Sequence, residues 1–125
     1  MPIIVTDRGF GPDTHQGAWF ELAPDVDLAA LAGQLAGVTA IRVAFPGFAD
    51  GRGFTLAARL RRGGFAGRLR AAGHVIADQY AMARRAGFDE VEIDDSLAAR
   101  QPEHQWLARA DWQANDYRAR LRRSL

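Results

Sequence analysis

The sequence predicts a single small α/β domain of βα repeats, with a mainly parallel sheet of four to five strands, either half-barrel-like or open. Three observations carry that prediction. Glycine followed by an apolar residue recurs at Gly37-Val38, Gly64-Phe65 and Gly87-Phe88, 27 and then 23 residues apart. Glycine supplies the left-handed turn that ends a helix, and the next residue packs back on it. This spacing is one βα unit with short loops, so the intervening strands are expected to run parallel with right-handed crossovers. Second, 125 residues with 48% apolar content suit one core and leave no room for another. Third, Ile41, Val43 and Phe45 alternate with Arg42 and Ala44, the period of a half-buried strand.

The expected organisation is N-terminal strands over 1–24, a βα-repeat core over 25–95 and a helical segment over 96–125. Ile3–Thr6 is a short β-branched run ending at Asp7. The turn-rich stretch 8–17 leads to a second apolar run, Ala18–Leu22, and the two runs could pair as an antiparallel hairpin or edge. Asp25 and Asp27 precede Leu28, Leu31 and Leu35, whose spacing marks the buried face of a helix over 26–36 with acidic caps. Gly37 stops it, and the strand 40–45 follows. A second helix is expected from Gly53, burying Phe54, Ala57, Ala58 and Leu60, until Gly63 and Gly64 end it; a strand over 67–72 comes next. The third helix, 75–86, buries Ile76, Tyr80 and Ala83 and closes at Gly87, before a strand over 90–94 with Val91 and Ile93 inward.

The last segment starts at Pro102 and carries Leu107, Ala110, Ala114, Tyr117 and Leu121 in a four-three repeat, which predicts a C-terminal helix. Trp106 and Trp112 fall off that stripe, so they either mark a partner surface or pack on the body of the domain.

These strands alternate too cleanly for a sheet covered on both faces by apolar layers. One face carries Arg42, Arg68, Arg70, Glu90 and Glu92. It reads either as a solvated or salt-bridged face, by cross-strand pairing, or as an arginine-lined concavity or dimer surface. One polar face and a tryptophan-bearing terminal helix are compatible with a homodimer.

Composition removes several chemistries. There is no cysteine, hence no disulfide, thiolate nucleophile or zinc ribbon, and a redox role would need a borrowed cofactor, whose identity stays unknown. All 16 basic residues are arginine, so Schiff-base lysine chemistry is absent. The net charge of +1 gives no argument for nucleic acid, although four arginines fall in the last eight residues. No apolar run approaches the roughly 20 residues that span a bilayer, and the N-terminus lacks a signal-peptide pattern, so no membrane association and a cytoplasmic location are expected.

In a parallel α/β sheet, ligands sit beyond the carboxyl ends of the strands. That rule gathers Asp50, Arg52, His74, Asp78, Gln79, Asp94 and Asp95 on one rim. Arg52 beside glycines at a helix start suits a small anion such as sulfite, sulfate, phosphate or a carboxylate. The competing reading makes Asp50 a helix cap and Arg52 its surface neighbour. Asp50, His74 and Asp78 are the catalytic candidates, with His74 the general-base candidate or simply a cap. No metal site is expected, because carboxylates on separate loops lack diagnostic spacing. GRG at 51–53 has Leu56 where a dinucleotide fingerprint needs a third glycine, a P-loop needs lysine, and no GxSxG elbow is present.

The stretches FPGFADGRGFT, GRLRAAGHVIADQ and RRAGFDEVEI, taken in that order over Asp25 to Ile93, resemble the bacterial domain of unknown function 934 family. Members are described as oxidoreductases involved in sulfite reduction. The chain resembles a divergent member, with His74 where an acidic residue is usual and Ala86 where a cysteine is common. By motif position the resemblance implies that Asp50, Gly51, Arg52, Gly53, Arg70, Gly73, Asp78 and Gln79 are the ligand-binding residues. It implies an accessory or binding module of sulfate or sulfite assimilation, recognising an anion or a partner protein of that pathway. The alternative is a small enzyme acting on an anionic substrate through Asp50, Arg52 and Asp78.

Overall fold

The computed structural model describes residues 2–31 and 33–115 and holds an open six-stranded sheet in the order β2-β1-β6-β5-β4-β3. The strands are β1 (Ile3–Thr6), β2 (Gly9–Gly11), β3 (Phe20–Leu22), β4 (Ala40–Phe45), β5 (Arg68–Gly73) and β6 (Glu90–Ile93). From β3 to β6 neighbours pair in parallel and in chain order, whereas β1 joins β6 antiparallel and β2 joins β1 antiparallel. The three glycines of the repeat all have left-handed φ values, of 80°, 102° and 118° at Gly37, Gly64 and Gly87.

Because each parallel strand is followed by its next neighbour through a right-handed crossover, the connecting helices fall on one face of the sheet. They are α1 (Leu28–Leu31), α2 (Arg52–Arg62) and α3 (Tyr80–Ala86), the last entered through a 3-10 turn at Ala77–Gln79. The core lies between. Ile41, Val43, Phe45, Leu69, Ala71, Val91 and Ile93 from the strands meet Phe54, Leu56, Ala57, Leu60, Tyr80 and Ala83 from the helices. Two further short helices, α4 (Asp95–Arg100) and α5 (Glu103–Leu107), close the β1 side.

Four expectations need correction. The sheet has six strands, because Gly9–Gly11, assigned to a turn, forms the return arm of an N-terminal hairpin with β1. Ala18–Leu22 does not pair with Ile3–Thr6; its ordered part, β3, lies at the far edge, parallel to β4. The helix expected over 26–36 is a single turn, capped by Asp27, whose Oδ1 accepts from Ala29 N at 3.0 Å. Gly33 costs a helix about 1 kcal/mol relative to alanine, and Leu35 packs against the core from the turns beyond it, whereas Leu28 and Leu31 do so from the single helical turn.

The fourth correction concerns the C-terminus. α5 begins after Pro102 but ends at Leu107, followed by turns and a 3-10 segment, Trp112–Asn115. Trp106 is fully buried and donates its Nε1 hydrogen to Gln101 O at 2.9 Å, whereas Leu107, expected inward, is 42% exposed. Trp112 packs over Arg84 and donates to Asp7 Oδ2 at 3.2 Å. Both tryptophans therefore pack on the body of the domain. Anchoring two large rings buries more surface than the leucine-alanine stripe offers, and the chain turns to place them. Tyr117, Leu121 and the terminal arginines lie outside the described residues.

The other face of the sheet carries the charges. Arg42 pairs with Glu21 and Glu92, Arg68 with Glu90, and Arg70 with Glu90, Glu92 and Asp13. The salt-bridged reading of this face is thus the observed one, but it is not solvated throughout. The connection between β2 and β3 crosses it as a strap. Asp13 grips Arg70 with both oxygens, at 2.8 and 2.9 Å, and Trp19 stacks on Arg70 with the guanidinium carbon 4.4 Å from the ring centre. Arg42 and Arg68 flank the same indole, and the His15 ring packs against it with centroids 3.9 Å apart. Arg70 is consequently wholly buried.

Candidate functional site

The carboxyl ends of β3 to β6 form one rim, and the loop after β4 shapes its centre. Asp50 Oδ1 accepts from Arg52 N at 3.1 Å and from Arg52 Nε at 2.9 Å, while Oδ2 accepts from Arg52 Nη2 at 2.7 Å. Those bonds hold the Asp50 carboxyl down at about 2, so at neutral pH it is an ionised partner of Arg52 and no proton carrier. The pairing is side-on, through Nε and one Nη2 hydrogen. It leaves Nη1 and the second Nη2 hydrogen of the guanidinium for another acceptor. Gly51 is the N-cap of α2, which has no side-chain cap. Gly53 lies directly against the Phe45 ring, where a Cβ would collide with it.

Arg52, Thr55 and Arg59 are three and four residues apart on α2, hence on one stripe. With Pro24, Asp25 and Val26 they line a cleft of about 280 Å³. The Arg59 side chain makes no hydrogen bond or ion pair among the described residues. Thr55 and Arg59 escaped the sequence reading, although their helical spacing from Arg52 was visible there.

The loop after β5 is tied to the same region. Gln79 Nε2 donates to Phe48 O at 3.1 Å, and its Oε1 accepts from Ile76 N at 3.0 Å, so Gln79 buckles two rim loops together. Asp78 faces elsewhere: 74% exposed, it receives Arg109 Nη2 at 2.9 Å. Gly73 pairs with Phe45 and has φ 118°; a Cβ there would stand 2.7 Å from the Phe45 carbonyl oxygen. Gly73→Ala should therefore lower stability by about 1–3 kcal/mol, as read by urea unfolding, and a neutral result would show that the loop relaxes freely. Arg70 is not on the rim; it belongs to the strapped face described above.

His74 donates its backbone N–H to Phe45 O at 2.9 Å, and its Nδ1 lies 3.1 Å from the same oxygen. A carbonyl only accepts, so Nδ1 carries a hydrogen, and in the neutral tautomer that this bond selects Nε2 holds the lone pair. The Phe48 ring, 38% exposed, meets His74 edge-to-face at 4.9 Å. Asp94 caps α4, accepting from Leu97 N at 2.8 Å and Ser96 Oγ at 2.9 Å, and these bonds hold its carboxyl below the ordinary range. Phe48, His74, Asp94, Ser96 and Arg100 border a groove of about 660 Å³ between β5, β6 and α4. Among the described residues, no three histidine, aspartate or glutamate side chains converge as metal ligands would.

The opposite edge is apolar. Leu28, Leu35, Val38, Leu60 and Phe65 line a groove of about 710 Å³ there, with Arg59 at its margin. No helix among the described residues is long and apolar enough to cross a membrane. Comparison with curated proteins and with solved structures returned no match. Comparison with family models returned one, over residues 20–123, a span that includes the whole rim and all four parallel strands, and the chain accordingly belongs to the family described as bacterial protein of unknown function (DUF934).

Proposed function

We propose that this domain is an accessory, anion-binding module linked to assimilatory sulfate or sulfite reduction, with its anion in the cleft of Arg52, Thr55 and Arg59. The observation that carries the reading is the side-on Asp50–Arg52 pair. It fixes the guanidinium while leaving donors unspent, next to a second arginine without a partner among the described residues. Asp50 and Asp78 are each engaged by an arginine, which favours binding over proton transfer by either. The link to sulfur assimilation rests on the resemblance of the rim motifs.

Sulfite, sulfate and phosphate should each raise the melting temperature at saturation, by roughly 10 °C for an anion at about a hundredfold above its Kd. Arg52→Ala and Arg59→Ala should lose that rise while melting close to the parent in its absence. Equal shifts in all three proteins, or none in any, would remove the reading. Consumption of sulfite or a flavin colour in the purified protein would favour the enzyme instead. Sulfur-assimilation genes beside this gene and those of its relatives are expected; their consistent absence would break the pathway link.

A further inference from the structure

We propose that the groove bordered by His74, Asp94 and Arg100 is a second site, independent of the anion cleft, for a small molecule carrying both an ammonium and a carboxylate group. The polar atoms it presents are unequal in kind. Because Nδ1–H is given to Phe45 O, Nε2 is the nitrogen of the groove-lining His74 that serves as an acceptor when the imidazole is neutral. Ser96 spends its hydroxyl hydrogen on Asp94 Oδ1 and keeps only lone pairs for a ligand. Asp94 is held ionised by its bonds from Leu97 and Ser96, and its Oδ2 accepts no hydrogen bond among the described residues. Three acceptors on one wall call for a ligand with several N–H donors, which is what an ammonium offers.

Arg100 supplies the opposite end. It is the last residue of α4, about 9 Å along the helix axis from Asp94. Arg100 lines the same groove, and its charge contributes to holding Asp94 ionised. Glu92 on the same border is committed to Arg42 and Arg70. A simple inorganic anion suits this wall poorly, because the Asp94 carboxylate and a hydroxyl whose hydrogen is already spent offer it only lone pairs. Phe48, Ile93 and Leu97 give the carbon skeleton an apolar wall.

Three four-carbon probes separate the requirements: γ-aminobutyrate, n-butylammonium and butyrate, titrated near pH 8 where imidazole is neutral. The readout is the NMR signals of the His74 ring and the amides of 96–100. γ-Aminobutyrate should give saturating shifts, butylammonium weaker ones, and butyrate none. Arg100→Ala should weaken γ-aminobutyrate roughly tenfold or more, to the level of butylammonium, without changing the response of 52–59 to sulfate. Butyrate binding as well as γ-aminobutyrate, an Arg100→Ala variant that binds all three unchanged, or no saturating shift at His74 with any probe would overturn the proposal. Loss of the sulfate response alone would count against the anion cleft and leave this site standing.

Discussion

Arg70→Ala is expected to destabilise the domain by about 3–5 kcal/mol, the largest effect of any single charge removal here. Arg70 is wholly buried and serves Glu90, Glu92 and Asp13 at once, with Trp19 as its roof. Burial by itself disfavours the cation, yet the hydrogen bonds to Asp13 and Glu92 and the field of Glu90 outweigh it and raise the guanidinium above its ordinary value. Deleting it leaves the nearly buried Glu90 with only Arg68, and the strap without its ion pair at Asp13. Against a typical total of about 5–15 kcal/mol, that loss brings a small domain close to unfolding. Urea denaturation measures it, and Asp13→Asn is the milder companion, since it loosens the strap and spares the buried ladder. A loss below about 1 kcal/mol for Arg70→Ala would mean that the strapped face is far wetter than the geometry implies.

The same cluster fixes the acid response. The hydrogen bonds from Arg70, then the backbone N–H of His15, hold the Asp13 carboxyl far below the usual range. A depressed carboxylate contributes fully above its unfolded value, near 4, and that contribution is withdrawn as the pH falls toward the folded value. Stability should therefore be flat through neutrality and fall progressively below about pH 4. Asp13→Asn should flatten part of that fall.

Trp106→Ala is expected to cost about 3–5 kcal/mol, the usual range for emptying a large buried aromatic site. The ring packs edge-on to Tyr80 with centroids 6.1 Å apart, and its N–H satisfies Gln101 O. Tyr80 in turn donates to Asp7, which also takes Arg84 and Trp112. Trp106→Phe should recover most of the packing but leave the Gln101 carbonyl unpaired, so its loss should be intermediate. Thermal melts of the two variants order them, and equal losses would assign the whole effect to the hydrogen bond.

What the sequence revealed and concealed follows from the range of the interactions. β1 and β4 match their expected bounds, because strand alternation and glycine stops are local signals. The parallel order was legible from the glycine-apolar pairs, whose glycines are all left-handed, Gly64 and Gly87 just past α2 and α3 and Gly37 in the turns before β4. Helix length was not, since Leu28, Leu31 and Leu35 keep helical spacing whether or not the backbone past Gly33 stays helical. The strap was invisible for a deeper reason. Asp13 meets Arg70 across 57 residues, and nothing near Asp13 or Trp19 announces a buried guanidinium. On the rim, Asp50 and Arg52 were recognisable as neighbours in a glycine-rich turn. Their side-on geometry, the unpartnered Arg59 and the His74 tautomer depend on atomic positions that spacing does not encode.

The most direct test of the anion site is amide-shift mapping of the labelled protein during sulfate and sulfite titrations. Saturating shifts should concentrate at Arg52–Thr55 and Arg59 and vanish in Arg52→Ala. Shifts confined to the opposite apolar edge around Leu35 and Phe65, or a flat titration throughout, would contradict the assignment of this rim as the binding edge.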